Sequence, residues 1–188
     1  YHHVVVEGGS DFIYLTEFSD YLRSNGRPGL NPSLSILPVG GADKIPAFVA
    51  LLGRHLRVSV RLDGGKNSPH FRRLESLVSE GVIDETRIIL CSAIPDTNAS
   101  ADIEDLFAEE DYLRLFNWAF GRTSSPVDLP SEPARLISRL ERLYGEEFDH
   151  GLPARHLAPN RAEFFEKVKD ATVKRFERAI TLINGSLT

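Results

Sequence analysis

The sequence predicts an α/β protein with a mostly parallel, doubly wound sheet flanked by helices and a helical extension at its C-terminal end. Two observations predict it. Short aliphatic or β-branched runs at residues 3–7, 34–39 and 57–62 are each followed by a glycine-containing turn and then by apolar residues at helical spacing. Strand alternating with helix in this way marks βαβ units and a parallel sheet. Two of the runs also end on an acid beside glycines, Val4-Val5-Val6-Glu7-Gly8-Gly9 and Val58-Ser59-Val60-Arg61-Leu62-Asp63-Gly64-Gly65. That order delivers carboxylates to the C-terminal edge of the sheet, where open α/β sheets bind their ligands.

Taken in order, residues 3–7 form the first strand, and Ser10 is the expected N-cap of a helix over 11–25 with Phe12, Leu15, Phe18 and Leu22 facing inward. Gly26, Pro28, Gly29 and Pro32 make a loop. The second strand, 34–39, closes at Gly40-Gly41, and a helix over 42–54 turns Ile45, Phe48, Val49 and Leu52 inward, with Pro46 tolerated in its first turn. Strand three is 57–62, the next helix 71–81 and strand four 87–91. A polar loop over 95–101 then leads to a helix over 103–120 carrying Leu106, Tyr112, Leu113 and Phe116. Residues 122–130 read as a linker, 148–159 as a loop, and 132–144 and 161–183 as helices. The stripe Phe164, Val168, Phe176, Ile180 and Ile183 is expected to pack on the sheet domain or on a partner.

With 41% hydrophobic and 26% charged residues among 188, the chain has the composition of an ordinary soluble domain, and no apolar run approaches a membrane span. The net charge of −5 argues against a freestanding electrostatic nucleic-acid binder, although it counts acids that a metal would neutralise. The single cysteine, Cys91, excludes a disulfide or cysteine metal site within the chain and fits a reducing, cytoplasmic setting. No Walker A sequence is present, so ATP hydrolysis is not expected of these residues. The chain starts at Tyr1, almost on its first strand, and is expected to be an excerpt of a longer protein.

The acids carry the chemistry. Glu7 ends strand one, Asp11 opens the following helix and Asp63 ends strand three, so neighbouring strands one and three would bring the three carboxylates within bridging distance of one hydrated Mg²⁺. Asp102-Ile103-Glu104-Asp105 follows strand four and can sit above the same edge. Oxygen-only ligands suit Mg²⁺ or Mn²⁺ and not zinc. Singly, several of these acids have simpler readings: Asp11 favours a helix dipole, Asp63-Gly64-Gly65 is common turn chemistry, and Asp102 and Asp105 can cap a helix. Glu7 gains nothing from turn formation, and the joint pattern carries the weight.

The segments Val4-Val5-Val6-Glu7-Gly8-Gly9-Ser10-Asp11, Pro38-Val39-Gly40-Gly41-Ala42-Asp43-Lys44, the run ending at Asp63, and Ala101-Asp102-Ile103-Glu104-Asp105-Leu106-Phe107 resemble, in this order, the Toprim domain of OLD-family (overcoming lysogenization defect) nucleases. The resemblance implies a Toprim-like catalytic domain over 1–121, with the linker and C-terminal helices of 122–188 packed on it. It implies metal-dependent phosphodiester cleavage with two Mg²⁺ or Mn²⁺ ions, Glu7, Asp11, Asp63 and Glu104 catalytic, and Asp102 joining them as a metal ligand. Gly8, Gly9, Gly40, Gly41, Lys44 and Lys66 would touch phosphate or nucleic acid. Implied partners are DNA in preference to RNA, an N-terminal ABC-type ATPase of the same parent that alone would use ATP, and a second copy of the chain, with no membrane. The sequence departs from the family at Gly65, where Toprim domains have the second acid of Asp-x-Asp. Either more water completes the ion's shell, or Glu104 or Asp102 supplies the ligand, or activity is lost. A late basic residue of the family has Lys66, Arg161 and Lys167 as candidates. The alternatives are a different Toprim nucleotidyl-transfer reaction and a catalytically weak domain for nucleic-acid binding or assembly.

Overall fold

Strands β1 (His2–Val6), β2 (Leu34–Pro38), β3 (Arg57–Leu62) and β4 (Ile88–Leu90) form one parallel sheet in the order β2-β1-β3-β4. The structure is a computed structural model, and it describes residues 2–186. Val4, Val5 and Val6 are all fully buried, which suits a central strand covered on both faces. β1 pairs β2 with Val4 opposite Ile36 and β3 with Val5 opposite Val60. The chain leaves β1 for β2 on one side and returns across to β3 on the other, so the connections part between β1 and β3. An open sheet has its ligand crevice at that switch point.

Period-two alternation sorts the strand residues onto two cores. Val5, Val58, Val60 and Leu62 face α2 (Ile45–Leu52) and α3 (Pro69–Ser79), where Ile45, Val49, Phe71 and Leu74 meet them. Val4, Val6 and Cys91 face α1 (Gly9–Ser24), α4 (Glu109–Phe120), α5 (Leu136–Tyr144), α6 (Gly151–Leu157), α7 (Arg161–Glu166) and α8 (Asp170–Gly185). The ring of Phe18 from α1 stacks on Phe176 from α8, with centroids 3.8 Å apart and planes 4° from parallel. Among the described residues no helix is long and apolar enough to cross a membrane.

Several elements differ from the sequence expectation. Helix α1 begins at Gly9 with Gly8 as its cap, so Ser10 lies inside the first turn, and Asp11 reaches back to accept the Gly8 N–H at 2.8 Å. Its buried face runs Asp11, Tyr14, Leu15, Phe18 and Leu22, which leaves Phe12 on the flank at 43% exposure. Residues 42–44 form a 3₁₀ turn, and the inward pair of α2 is Ile45 and Val49; Phe48 is 40% exposed. The helix expected over 103–120 is a 3₁₀ turn at Glu104–Leu106 followed by α4. Between them the extended Phe107 drives its ring among Tyr14, Phe18 and Phe176. The 132–144 helix starts only at Leu136, and α6 lies in the segment read as a loop. The last helix is interrupted at 167–169, where Asp111 accepts the Lys169 N–H at 2.9 Å, so Val168 falls in the break.

Candidate metal and phosphate site

The switch point carries the acids. Glu7 follows the last residue of β1 and accepts the Asp63 backbone N–H at 2.8 Å, which fixes the turn after β3 to the end of β1. Gly64 continues that turn at φ +73°, a conformation closed to most side chains. Its N–H donates to the Ala101 carbonyl at 2.6 Å, and its carbonyl accepts from the Ser92 N–H at 3.3 Å. These bonds hold the Asp102–Asp105 segment beside Asp63.

At the centre lies a residue the sequence reading did not assign, Arg61, which is 1% exposed inside β3. Its guanidinium pairs with Asp11 and, at 2.7 Å, with Asp63, and it donates to the Cys91 thiol. The signal was present. Residues 59, 61 and 63 share the sheet face opposite to Val58, Val60 and Leu62, so a charge at 61 must lie beside Asp63.

Asp102, 1% exposed, accepts from Arg135 Nε at 2.9 Å, and the carboxylates of Asp102 and Asp105 each accept the other's backbone N–H at 3.1 Å. Asp105 also accepts the Leu136 N–H, at the start of α5, at 2.8 Å. Glu104, 4% exposed, has no cationic partner among the described residues. Burial pushes its carboxyl well above the usual range, and the charges of Asp102, Asp63 and Asp11 add to that. Burial likewise lifts Asp63 to about 8, against the pull of Arg61 and with the repulsion of Asp11, Glu7 and Asp102. It raises Glu7 and Asp11 as well, again against Arg61. Glu7, Asp11, Asp63 and Glu104 each feel at least one other acid of the group, and Asp63 is linked to both Glu7 and Asp102.

The same architecture occurs in two solved structures. The C-terminal region of the Burkholderia pseudomallei OLD protein is 16% identical, with 100% of this chain and 98% of that chain covered at a TM-score of 0.57. The chain has the fold of the OLD C-terminal region. The C-terminal region of the Xanthomonas campestris pv. campestris OLD protein is 18% identical over 99% of this chain and 93% of that chain, at a TM-score of 0.56. No family model and no curated protein sequence matches the chain.

On this OLD C-terminal fold, the residues expected at phosphate fall into two groups. Gly9 has nothing within 4 Å of the place a side chain would take, so backbone approach at the start of α1 is open. Gly40 and Gly41 have φ of +78° and +135° and form the turn after β2, where the Gly41 N–H is taken by the Glu7 carbonyl at 2.8 Å. Lys44 folds back to donate to the Gly40 carbonyl at 2.6 Å. Lys66 is turned to Glu85 at 2.8 Å and is mostly exposed, the geometry of a solvated loop charge. Of the late basic candidates, Arg161 faces Glu17 at 3.4 Å and Lys167 is exposed; the late residue that does reach the cluster is Arg135.

Gly65 is enclosed. A Cβ there would lie 3.0 Å from the Ala99 carbonyl and 3.1 Å from Ser92 Oγ, so the turn has little room for the second acid. Among the described residues no group of three or more His, Cys, Asp or Glu side chains is poised to hold a metal ion as it stands. Two of the acids, Asp11 and Asp63, are engaged by Arg61. The donor set nevertheless fits a hard divalent cation. It is made wholly of carboxylate oxygens, and among the described residues the basic groups acting on Glu7, Asp11, Asp63, Asp102 and Glu104 are the guanidinium groups of Arg61 and Arg135, with the His70 imidazole also near Glu7.

Proposed function

We propose that this chain is the Toprim domain of an OLD-family nuclease and cleaves phosphodiesters of DNA, in preference to RNA, with Mg²⁺ or Mn²⁺. The observation that supports the reading best is the excess of buried carboxylate over cation at the β1/β3 switch point. Glu7, Asp11 and Asp63 would hold the metal, with Glu104 and Asp102 supporting it. A divalent cation there supplies Lewis acidity toward a phosphoryl oxygen and makes water a competent nucleophile at neutral pH.

The chain's own groups do the rest. Glu7 orders the Asp63 turn through the Asp63 N–H, and the open backbone at Gly9 admits a phosphate oxygen near the positive end of α1. Burial raises Glu104 and Asp63 in the metal-free protein, and cationic charge arriving beside them would lower both again. ATP would be handled by a separate domain of the parent protein.

A second reading, a module for binding or assembly without catalysis, is favoured by one feature, the engagement of Asp11 and Asp63 by Arg61. Incubating the chain with supercoiled plasmid under Mn²⁺, Mg²⁺ or chelator separates the two. Metal-dependent nicking that is lost in Glu7→Gln supports the nuclease; absence of nicking under every condition leaves the binding module.

A further inference from the structure

Arg61 lies at the centre of the cluster, and the proposed chemistry gives it no task. Both neighbours in β3, Val60 and Leu62, are fully buried on the opposite face, so its side chain has no route to water along the strand. Its Nε is buried and finds no acceptor among the described residues, so the guanidinium is kept in place by Asp11, Asp63 and Cys91 alone. Arg61 and two backbone N–H groups tie up oxygens that a metal would need. Asp11 has Oδ1 on Arg61 and Oδ2 on the Gly8 N–H, while Asp63 has Oδ1 on Arg61 and Glu7 has Oε1 on the Asp63 N–H.

A cation approaching Asp11 and Asp63 therefore meets a resident positive charge within contact distance of both. Like charges that close repel strongly at the effective permittivity of a protein interior. Resting on the metal-dependent reading above, we propose that Arg61 is a built-in counter-cation that holds Asp11 and Asp63 together when no metal is bound and competes with the divalent ion for their oxygens. Metal affinity is then set by the displacement of a guanidinium as well as by the ligand set.

The test is calorimetric titration of Mn²⁺ into wild type, Arg61→Gln and Arg61→Lys, with thermal melts of each protein with and without Mn²⁺. Arg61→Gln is expected to melt lower than wild type in chelator, to bind Mn²⁺ at least about tenfold more tightly, and to gain more in melting temperature from the ion. Arg61→Lys retains the charge and should stay near wild-type affinity. If Arg61→Gln is unfolded in chelator, recovery of its native circular dichroism on adding Mn²⁺ supports the proposal, and failure to recover overturns it. Measurable Mn²⁺ binding of equal or lower affinity in Arg61→Gln than in wild type defeats this inference alone. Absence of binding in both proteins defeats the metal-dependent reading with it.

Discussion

The Glu7 carboxylate accepts the Asp63 backbone N–H at 2.8 Å, so one side chain at the end of β1 both places a charge at the switch point and sets the turn that carries Asp63. Removing the charge and removing the acceptor are separable. Glu7→Gln keeps an oxygen for the N–H, and its melting temperature without metal should equal or exceed that of wild type while Mn²⁺-dependent cleavage falls at least about a hundredfold. Glu7→Ala should also lose about 1 kcal/mol of stability in urea unfolding. Cleavage near the wild-type rate in Glu7→Gln would remove this residue from the site.

Stability of the metal-free protein should fall as pH rises from about 4 to about 8. Burial raises Asp63 to about 8 and Asp105 to about 6, with Asp102 adding to the latter, so across this window the folded state binds more protons than the unfolded state, whose aspartates titrate near 3.9. The contribution is fully present below the unfolded value and is lost as pH passes the folded ones. Saturating Mn²⁺ should flatten the profile. Melting curves from pH 4 to 9 in chelator test the slope, and a rise in stability across the window would contradict it.

Gly65→Asp is expected not to create a ligand. The new Cβ would press on the Ala99 carbonyl and on Ser92 Oγ at 3.0 and 3.1 Å, and relieving that contact should cost about 1 kcal/mol or more. Gly65→Ala, which adds the Cβ without the charge, should show a similar loss, and Mn²⁺ affinity should not improve in either protein. Tighter Mn²⁺ binding by Gly65→Asp, read by calorimetry, would show that the turn can open.

Arg135→Gln should destabilise by about 1 to 2 kcal/mol, because Asp102 is buried while Arg135 is partly exposed and water can partly replace it. Adding Asp102→Asn should recover part of the loss. A double-mutant cycle with no coupling between the two sites would rule out the pair as a structural tie.

Phe176→Ala should cost about 3 to 5 kcal/mol and lower the single unfolding transition of the whole chain, since Phe176 stacks on Phe18 and meets Phe107 in the core shared with β1. Two transitions, with only one of them shifted, would show that the C-terminal helices unfold on their own.

What the sequence makes legible is local. Val4-Val5-Val6 before Glu7 and Val58–Leu62 before Asp63 announce strand ends, because apolar runs and glycine punctuation act within a few residues. Features set by distant contacts are not legible in that way. Phe107 ends a helical pattern because α1 and α8 offer its ring a pocket, and the break at 167–169 follows from Asp111, far away in the chain. Ser10 looks like a cap, yet Asp11 supplies the bond to Gly8 from inside the helix. Arg61 was legible from alternation alone, but its partner Asp11 comes from another element.

The face of β3 toward α1 and α8 is a polar seam. Ser59 bonds the Ser186 hydroxyl at 2.8 Å, Arg61 bonds Asp11, and Asp63 stands at the rim. A dehydrated row of this kind is unfavourable until its partners arrive, so β3 has little reason to dock on β1 before both flanking helices are in position. Assembly of this half of the molecule is thus expected to be concerted, with β3 and α8 amides exchanging with solvent through one shared opening event and acquiring equal protection in hydrogen exchange.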